Sequence, residues 1–577
     1  MHDLVIRAGS VVDGTGGPAR TADVGIDGAV ITAVAEPATL SGRRTIDADG
    51  LLVTPGWVDI HTHYDGQITW DPLVSPSSWH GVTTVVTGNC GVGFAPVEPA
   101  RRAWLVELME GVEDIPGTAL TEGMRWGWET FPEYLDFIET TPRALDVGTQ
   151  IAHGAVRTYV MGDRGAHNEP ATPDDIEAMA TIVREAIQAG ALGFTTSRTL
   201  MHRAVDGEPV PGTFAAEDEL FGIGRELGRL GAGLFEVAPA GVAGEDDLAP
   251  PKEMAWMRRL AAEIGRPVTF GMTQSNVAPG QYRELLAEAA AAAAEGATVV
   301  PQVAGRASGL LFGLGTTYHP FANRPTFAAL ADLPRAEQVA RLRLADTRAA
   351  ILAEGNGQAS ASLLDQFGDR TWPFDESCDY EPPVESSIDA RARREGRRPD
   401  EVLYDLQLQH DGAQLFMVPI LNYADNTFEP LREMLEHPTS VLGLADGGAH
   451  CAIICDASMP TTMLTHWTRD RTRGPKLDVA TVVRKQTRDT AHLYGLDDRG
   501  VLAPGYKADV NVIDYEHLRL RIPEVVHDLP GGARRLVQRA DGYRATLVAG
   551  QVTFQDGQHT GALPGHVVRG AQPGPTA

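Results

Sequence analysis

The sequence predicts an α/β fold: a (β/α)8 TIM-like barrel with a small β-sandwich built from both chain termini. Strand-and-turn texture fills the first 53 residues and returns from residue 508 onward. Between these ends, short apolar runs alternate with helical stretches, the mark of βα units. The runs number eight, the count that closes a barrel of parallel strands.

At the N-terminus, LVIRAG, SVVDGTG, DVGIDG, VITAVAE and TIDADGLLV read as short strands. Glycine and aspartate punctuate them as hairpins require. Barrel strands are predicted at 57–63, 83–88, 146–152, 192–197, 233–238, 267–272, 298–304 and 440–446. Helices are predicted between several of them, at 174–188 and 281–294 among others; Asp174 and Asp175 sit at the positive end of the first. AQLFMVPIL, 413–421, is a ninth strand candidate, so the count stands at eight or nine. About 55 residues separate the second and third strands and over 130 the seventh and eighth. Connections of that length carry lids or subdomains. The charged, proline-bearing stretch 379–399 reads as a solvated surface excursion. Strands at 508–514, 545–549 and 551–554 close the chain. The expected division is a sandwich of 1–54 with 497–577, and a barrel of 55–496 with insertions at about 91–145 and 306–439.

A chain of 577 residues with 43% hydrophobic content buries a large core. Its net charge of −28 and pI near 5.0 oppose binding to nucleic acid or to anionic membranes. No window holds the unbroken apolar run of a transmembrane helix. The first residues lack the basic-then-apolar pattern of a secretory signal, and four cysteines make no disulfide framework. The expectation is a cytoplasmic enzyme acting on a small molecule, without nucleic-acid or membrane partners, and a homo-oligomer.

The stretch GWVDIHTHYDG, 56–66, ends the first barrel strand with two histidines one residue apart. In a strand, residues i and i+2 share a face, so His61 and His63 converge on the barrel interior at its C-terminal end, where active sites sit. Buried imidazoles need partners, and a metal ion satisfies both. A strand that merely contains two histidines is the competing reading.

The context resembles the amidohydrolase superfamily. Pro55 and Gly56 lead into WVDIHTHYD directly after an all-β segment; VLGLADGGAH, 441–450, follows at the last strand; GVLAPGYKADVNVID, 500–514, returns the chain to the sandwich. The resemblance implies that Asp446 binds metal and takes the proton of the attacking water. Further motifs, TTVVTGNCGVGFAPV, EGVEDIPGTAL, RWGWETFPEYL, AHGAVRTYVMG and AGALGFTTS, are similar to the N-acyl-D-amino-acid deacylase branch, D-aminoacylases included. There a cysteine after the second strand binds or bridges zinc, which points to Cys90. Thiolate is an anionic, soft donor that suits zinc. The implied metal set is His61, His63, Cys90 and Asp446. The implied cofactor is Zn2+, one ion, with two left open.

The sequence departs from that pattern at two strand ends. In D-aminoacylases the fifth strand ends in Tyr-x-Thr-His-x-Arg and the sixth in Ser-His-His-Lys, and the first histidine of each binds zinc. Here Ala238 and Met272 stand in those slots and Gln274 replaces the lysine. His61, His63, Asp446 and Cys90 still supply the donors of a mononuclear site. Glu236 shares the face of Ala238 and is a candidate ligand, proton shuttle or satisfied interior carboxylate. Arg306 is a candidate to grip a substrate carboxylate; Arg198, His202 and His450 are candidates to line the pocket. Cys451 and Cys455 lack a second pair and read as structural. The reaction implied is hydrolysis of an amide C–N bond in an acylated amino acid or related amide. A hydrolase of a cyclic amide, imide or lactone is the first alternative. A barrel that lost its complete metal site and serves as a binding or scaffold protein is the second.

Overall fold

A computed structural model of the chain describes residues 1–316, 318–354 and 370–576. The barrel strands are β1 (Trp57–Asp59), β2 (Val82–Thr87), β3 (Asp146–Thr149 and Ile151–Ala152), β4 (Gly193–Ser197), β5 (Leu234–Ala238), β6 (Val268–Gly271), β7 (Val299–Val303) and β8 (Val441–Leu442). They pair in parallel and in sequence from β1 through to β8. β3 is broken at Gln150, its first half pairing with β2 and its second with β4. Between β8 and β1 the ring closes without a ladder, through His63 N to Gly447 O (2.7 Å) and Asp446 N to His61 O (3.1 Å). The same segments that seal the barrel thus carry His61, His63 and Asp446.

Strands buried on both faces read as continuous apolar or β-branched runs. VTTVVT of β2 is buried at every position. The helices that follow begin and end on local signals. Pro173–Ala189 starts on a capping box made by Thr172 and Asp175 and ends at Gly190, φ 117°.

Both chain ends form one nine-stranded sheet that closes over its own core of Leu4, Ile6, Val24, Ile31, Val53, Val510, Val512 and Leu547. Leu52–Pro55 pairs antiparallel with Val510–Ile513, so the two ends are joined by backbone hydrogen bonds. LVIRAG and SVV, read from sequence as separate strands, are one strand, His2–Val11, with a register shift between Ile6 and Gly9. Ala8, φ 55°, supplies that irregularity. Asp146 of β3 fastens barrel to sandwich: it accepts from Arg499 (2.6 Å), from the ammonium of Lys507 and from His566 N (3.0 Å).

The first long connection holds helices Arg102–Glu113, Gly117–Gly123 and Phe131–Glu139. The second builds an antiparallel three-stranded sheet in the order Ser308–Phe312, Leu415–Leu421, Trp372–Phe374. The ninth strand candidate is therefore the middle strand of this added sheet, not part of the barrel. The stretch 379–399 is not a solvated loop. It contains helix Ile388–Glu395, and Glu381 is 1% exposed because it holds Arg471 and His466. Among the described residues no helix is long and apolar enough to cross a membrane.

Candidate metal centre

His61 and His63 lie just beyond the end of β1, 2% and 1% exposed. Cys90 sits in the turn after β2, where Gly88, Cys90 and Gly91 all have positive φ. That turn presses so closely on its neighbours that a Cβ on Gly88 would lie 2.3 Å from Gln150 O, and one on Gly91 2.6 Å from Ser197 N. Glycine is required at both. The result is convergence: one donor atom each from His61, His63 and Cys90 lies within 4.8 Å of the others. Cys90 Sγ is 3.3 Å from His61 Nε2. Asp446 Oδ1 is 3.6 Å from Nε2 of both histidines.

The opposite nitrogens are held from behind. His61 Nδ1 donates to Gln302 Oε1 (2.9 Å), with Glu236 Oε1 at 3.3 Å. That leaves the Nε2 lone pair toward the common point. His61, Gln150, Glu236 and Gln302 come from β1 and strands β3, β5 and β7, one layer of alternate strands in the barrel interior. Gln150 Nε2 donates to Glu236 Oε2 (2.9 Å) and to Asn89 Oδ1 (2.8 Å), tying that layer to the Cys90 turn. Glu236 is therefore a buried carboxylate behind His61.

Charge decides what the cluster suits. Burial pushes the Cys90 thiol well above its usual range, and Glu113, Glu236, Asp446 and Asp65 add to the effect. Burial raises the Asp59 and Asp65 carboxyls to about 7 and lifts Glu236 and Glu113. Burial lowers His63 to about 4 against the pull of Asp446. Asp446 is partly exposed; desolvation opposes its charge, yet His63, His61 and His450 hold its carboxyl low. Buried polar atoms are left without partners at His63 Nδ1, Glu113 Oε1, Asp59 Oδ2 and Asp65 Oδ2. So many acidic groups around two imidazoles and a thiol suit a bound divalent cation. The donor set of two imidazole nitrogens, one sulfur and one carboxylate fits zinc.

Arg306 is not a substrate grip. It is fully buried, and its guanidinium donates to Ser458, Thr462, Cys455 O and Asp456 while lying 3.7 Å over the Tyr380 ring. Arg198 is engaged by both oxygens of Glu253 and by Ala215 O. Gln274, in the lysine slot, donates to Asp425 and accepts from Ala424 N. His202 bonds Ser197 Oγ (2.9 Å) beside the cluster, and burial together with His450 and His63 lowers it to about 3. His450 has its ring Nε2 3.8 Å from Glu113 Oε2. Ala238 and Met272 are buried and bring no nitrogen to the site. Cys451 and Cys455 are buried free thiols that join no group of donors among the described residues.

Sequence reasoning missed Gln302, Gln150 and Glu113. The two glutamines carried a signal, being amides inside apolar barrel strands. Glu113 lies within EGVEDIPGTAL, one of the stretches that carry the resemblance, but nothing in that stretch shows that a helix outside the barrel brings its carboxyl to His63.

The family model described as "Amidohydrolase family" matches residues 44–554. The N-acyl-D-aspartate deacylase of Alcaligenes xylosoxydans xylosoxydans is 27% identical, covering 98% of this chain and 95% of that one. A D-aminoacylase structure solved to define the role of its binuclear metal center superposes with a TM-score of 0.66 at 25% identity, covering 99% and 100% of the two chains. The N-acyl-D-glutamate deacylase of Bordetella bronchiseptica, solved with zinc and a phosphonate inhibitor, gives 0.65 at 21% identity over 98% and 99%. With the family match spanning nearly the whole chain and the barrel and sandwich in place, the chain belongs to the amidohydrolase family, in its D-aminoacylase-like branch, and is a metal-dependent hydrolase of carbon–nitrogen bonds other than peptide bonds.

Proposed function

We propose that the chain hydrolyses the amide bond of an N-acyl amino acid, of D-configuration as in its deacylase relatives, using one zinc ion held by His61, His63, Asp446 and Cys90. The observation that carries this reading is the convergence of those four donors at the C-terminal mouth of the barrel. One ion is favoured because Ala238 and Met272 occupy the strand ends that would serve a second.

When bound, the ion supplies Lewis acidity toward an amide carbonyl and toward water. The protein does the rest. Gln302 fixes the tautomer of His61. Asp446, whose side chain is 25% exposed, is the most open of the four donors. It accepts the water proton and returns it to the leaving nitrogen. His202 and His450 line the approach. We also propose a cytoplasmic enzyme, a reading supported by four cysteines that all stand as free thiols.

The test is elemental analysis of the native chain and of His61→Ala, Cys90→Ala and Asp446→Ala, followed by a panel of N-acyl-D- and L-amino acids and cyclic amides. About one zinc per native chain, lost or reduced in the variants, with turnover of N-acyl-D-amino acids, is the expected result. Turnover confined to cyclic amides would replace the substrate class. A native chain that stays metal-free when zinc is supplied would end the hydrolytic reading in favour of a barrel that only binds.

A further inference from the structure

We infer that Glu113, delivered from outside the barrel by the first insertion, is the residue that positions His63 for metal binding. The inference rests on the metal site proposed above. Glu113 ends helix Arg102–Glu113 and is 2% exposed. Its Oε1 lies 3.3 Å from His63 Nδ1, and neither atom has a hydrogen-bond partner. Leaving a buried imidazole N–H and a buried carboxyl oxygen both unpaired is costly. A small turn of the ring or carboxyl would join them, and this 3.3 Å contact is shorter than the 3.6 Å from His63 to Asp446 and the 3.8 Å from Glu113 to His450.

The pairing sets direction. With Nδ1 turned to Glu113, His63 presents Nε2 to Asp446, the side on which His61 and Cys90 also converge. This repeats on His63 what Gln302 and Glu236 do on His61: an oxygen behind each imidazole, with the lone pair facing the ion. Such a partner fixes the ring and raises its donor strength, and losing it typically costs about 10- to 100-fold in metal affinity. Glu113 is itself anchored. Its carbonyl accepts the His450 amide, and Asp114, φ 49°, turns the chain sharply just after it. The same residue thereby links His63, the His450 loop and the 91–145 insertion. Through Glu113 that insertion forms part of the wall of the metal site.

The test is zinc affinity by competition with a chromophoric chelator for the native chain, Glu113→Ala, Glu113→Gln and Glu113→Asp. It is paired with the visible spectrum of each protein loaded with Co2+. Circular dichroism and melting of the metal-free forms establish folding. Glu113→Ala is expected to weaken zinc binding about 10- to 100-fold and to shift the cobalt bands. Glu113→Gln keeps an acceptor oxygen without the charge and is expected to lose several-fold, again with shifted bands. Glu113→Asp should recover part of the loss. A purely structural role would leave the cobalt spectrum of the folded variants unchanged. Native affinity and native bands in folded Glu113→Ala would overturn the inference. If that variant does not fold, the same result in Glu113→Gln overturns it. A native chain that binds no zinc would instead overturn the metal site on which the inference stands.

Discussion

At the scale of single residues, the site separates two kinds of carboxyl. Glu236 and Glu113 sit behind the histidines, buried and pushed toward neutrality. Asp446 sits in front, 3.6 Å from both Nε2 atoms, and His63, His61 and His450 hold its carboxyl low. Only the second is equipped to take a proton from water. Asp446→Asn keeps the shape and an oxygen donor but removes the base. At saturating zinc it should lower kcat by about 10²- to 10⁴-fold. Steady-state kinetics with zinc content measured on the same sample checks this, and turnover within a few-fold of native would remove Asp446 from the base role. Much of this site was legible in the sequence. His61 and His63 announce themselves by period-two spacing at a strand end, and Cys90 and Asp446 by the resemblance. Arg306 misled, because a bare sequence position after β7 does not show that Asp456, Ser458 and Thr462 already occupy its guanidinium. Glu113 stands in the quoted stretch EGVEDIPGTAL, but its role was not legible because its place depends on how a helix docks some 50 residues away from His63 in sequence.

At the scale of elements, the eight barrel strands were readable from apolar runs of the right length, but their ends were not. The run 440–446 supplies only two paired residues, since Leu444 and Asp446 adopt φ of 57° and 46° and leave the ladder. AQLFMVPIL satisfied the same length and composition rules and yet belongs to the added sheet, because those rules carry no information about partner strands. The charge of the stretch 379–399 suggests a solvated loop, but one of those charges is a buried anchor. Glu381 accepts from Arg471 Nε (2.9 Å) and Nη2 (3.0 Å), His466 Nε2 (3.0 Å) and Phe428 N (2.7 Å), while Arg471 also meets Glu429. Burial alone would raise the Glu381 carboxyl; the bonds from His466, Arg471 and Phe428 outweigh it and hold it at about 2. Its folded pKa is thus below the ordinary glutamate value of 4.5. The stabilisation is whole above that value and is lost as pH falls toward about 2. Glu381→Gln should destabilise the chain by about 3–5 kcal/mol at neutral pH, since it leaves Arg471 buried without its main partner. It should also flatten the loss of stability between about pH 5 and pH 2. Denaturant midpoints across that range check both, and parallel native and variant pH profiles would show that Glu381 is not the titrating anchor.

At the scale of the whole molecule, the proposed ion occupies the weakest seam of the barrel. Strands β1 to β8 are joined by ladders everywhere except between β8 and β1, where two backbone bonds, His63 N to Gly447 O and Asp446 N to His61 O, do the closing. The donors on either side of that seam are His61 and His63 on one edge and Asp446 on the other, 385 residues apart for the outermost pair. A cation held by these donors would bond the first strand to the last, so zinc is expected to stabilise the closed barrel beyond its effect on the site. Zinc at 100 times its Kd contributes about 2.7 kcal/mol. The unfolding entropy of a chain this long is about 1.2 kcal/mol per degree if it melts as one unit, giving an upward Tm shift of about 2 °C. The melting temperature alone is a blunt reading of a local seam, and amide hydrogen exchange is the sharper one. On chelation, the amides of His63 and Asp446 should exchange faster, while those of β5 and β6, laddered on both sides, should change little. Acceleration spread evenly over all eight strands would mean that the ion stabilises the barrel only globally. No acceleration at His63 and Asp446, in a chain shown to have bound and lost zinc, would mean that the ion does not bridge the seam at all.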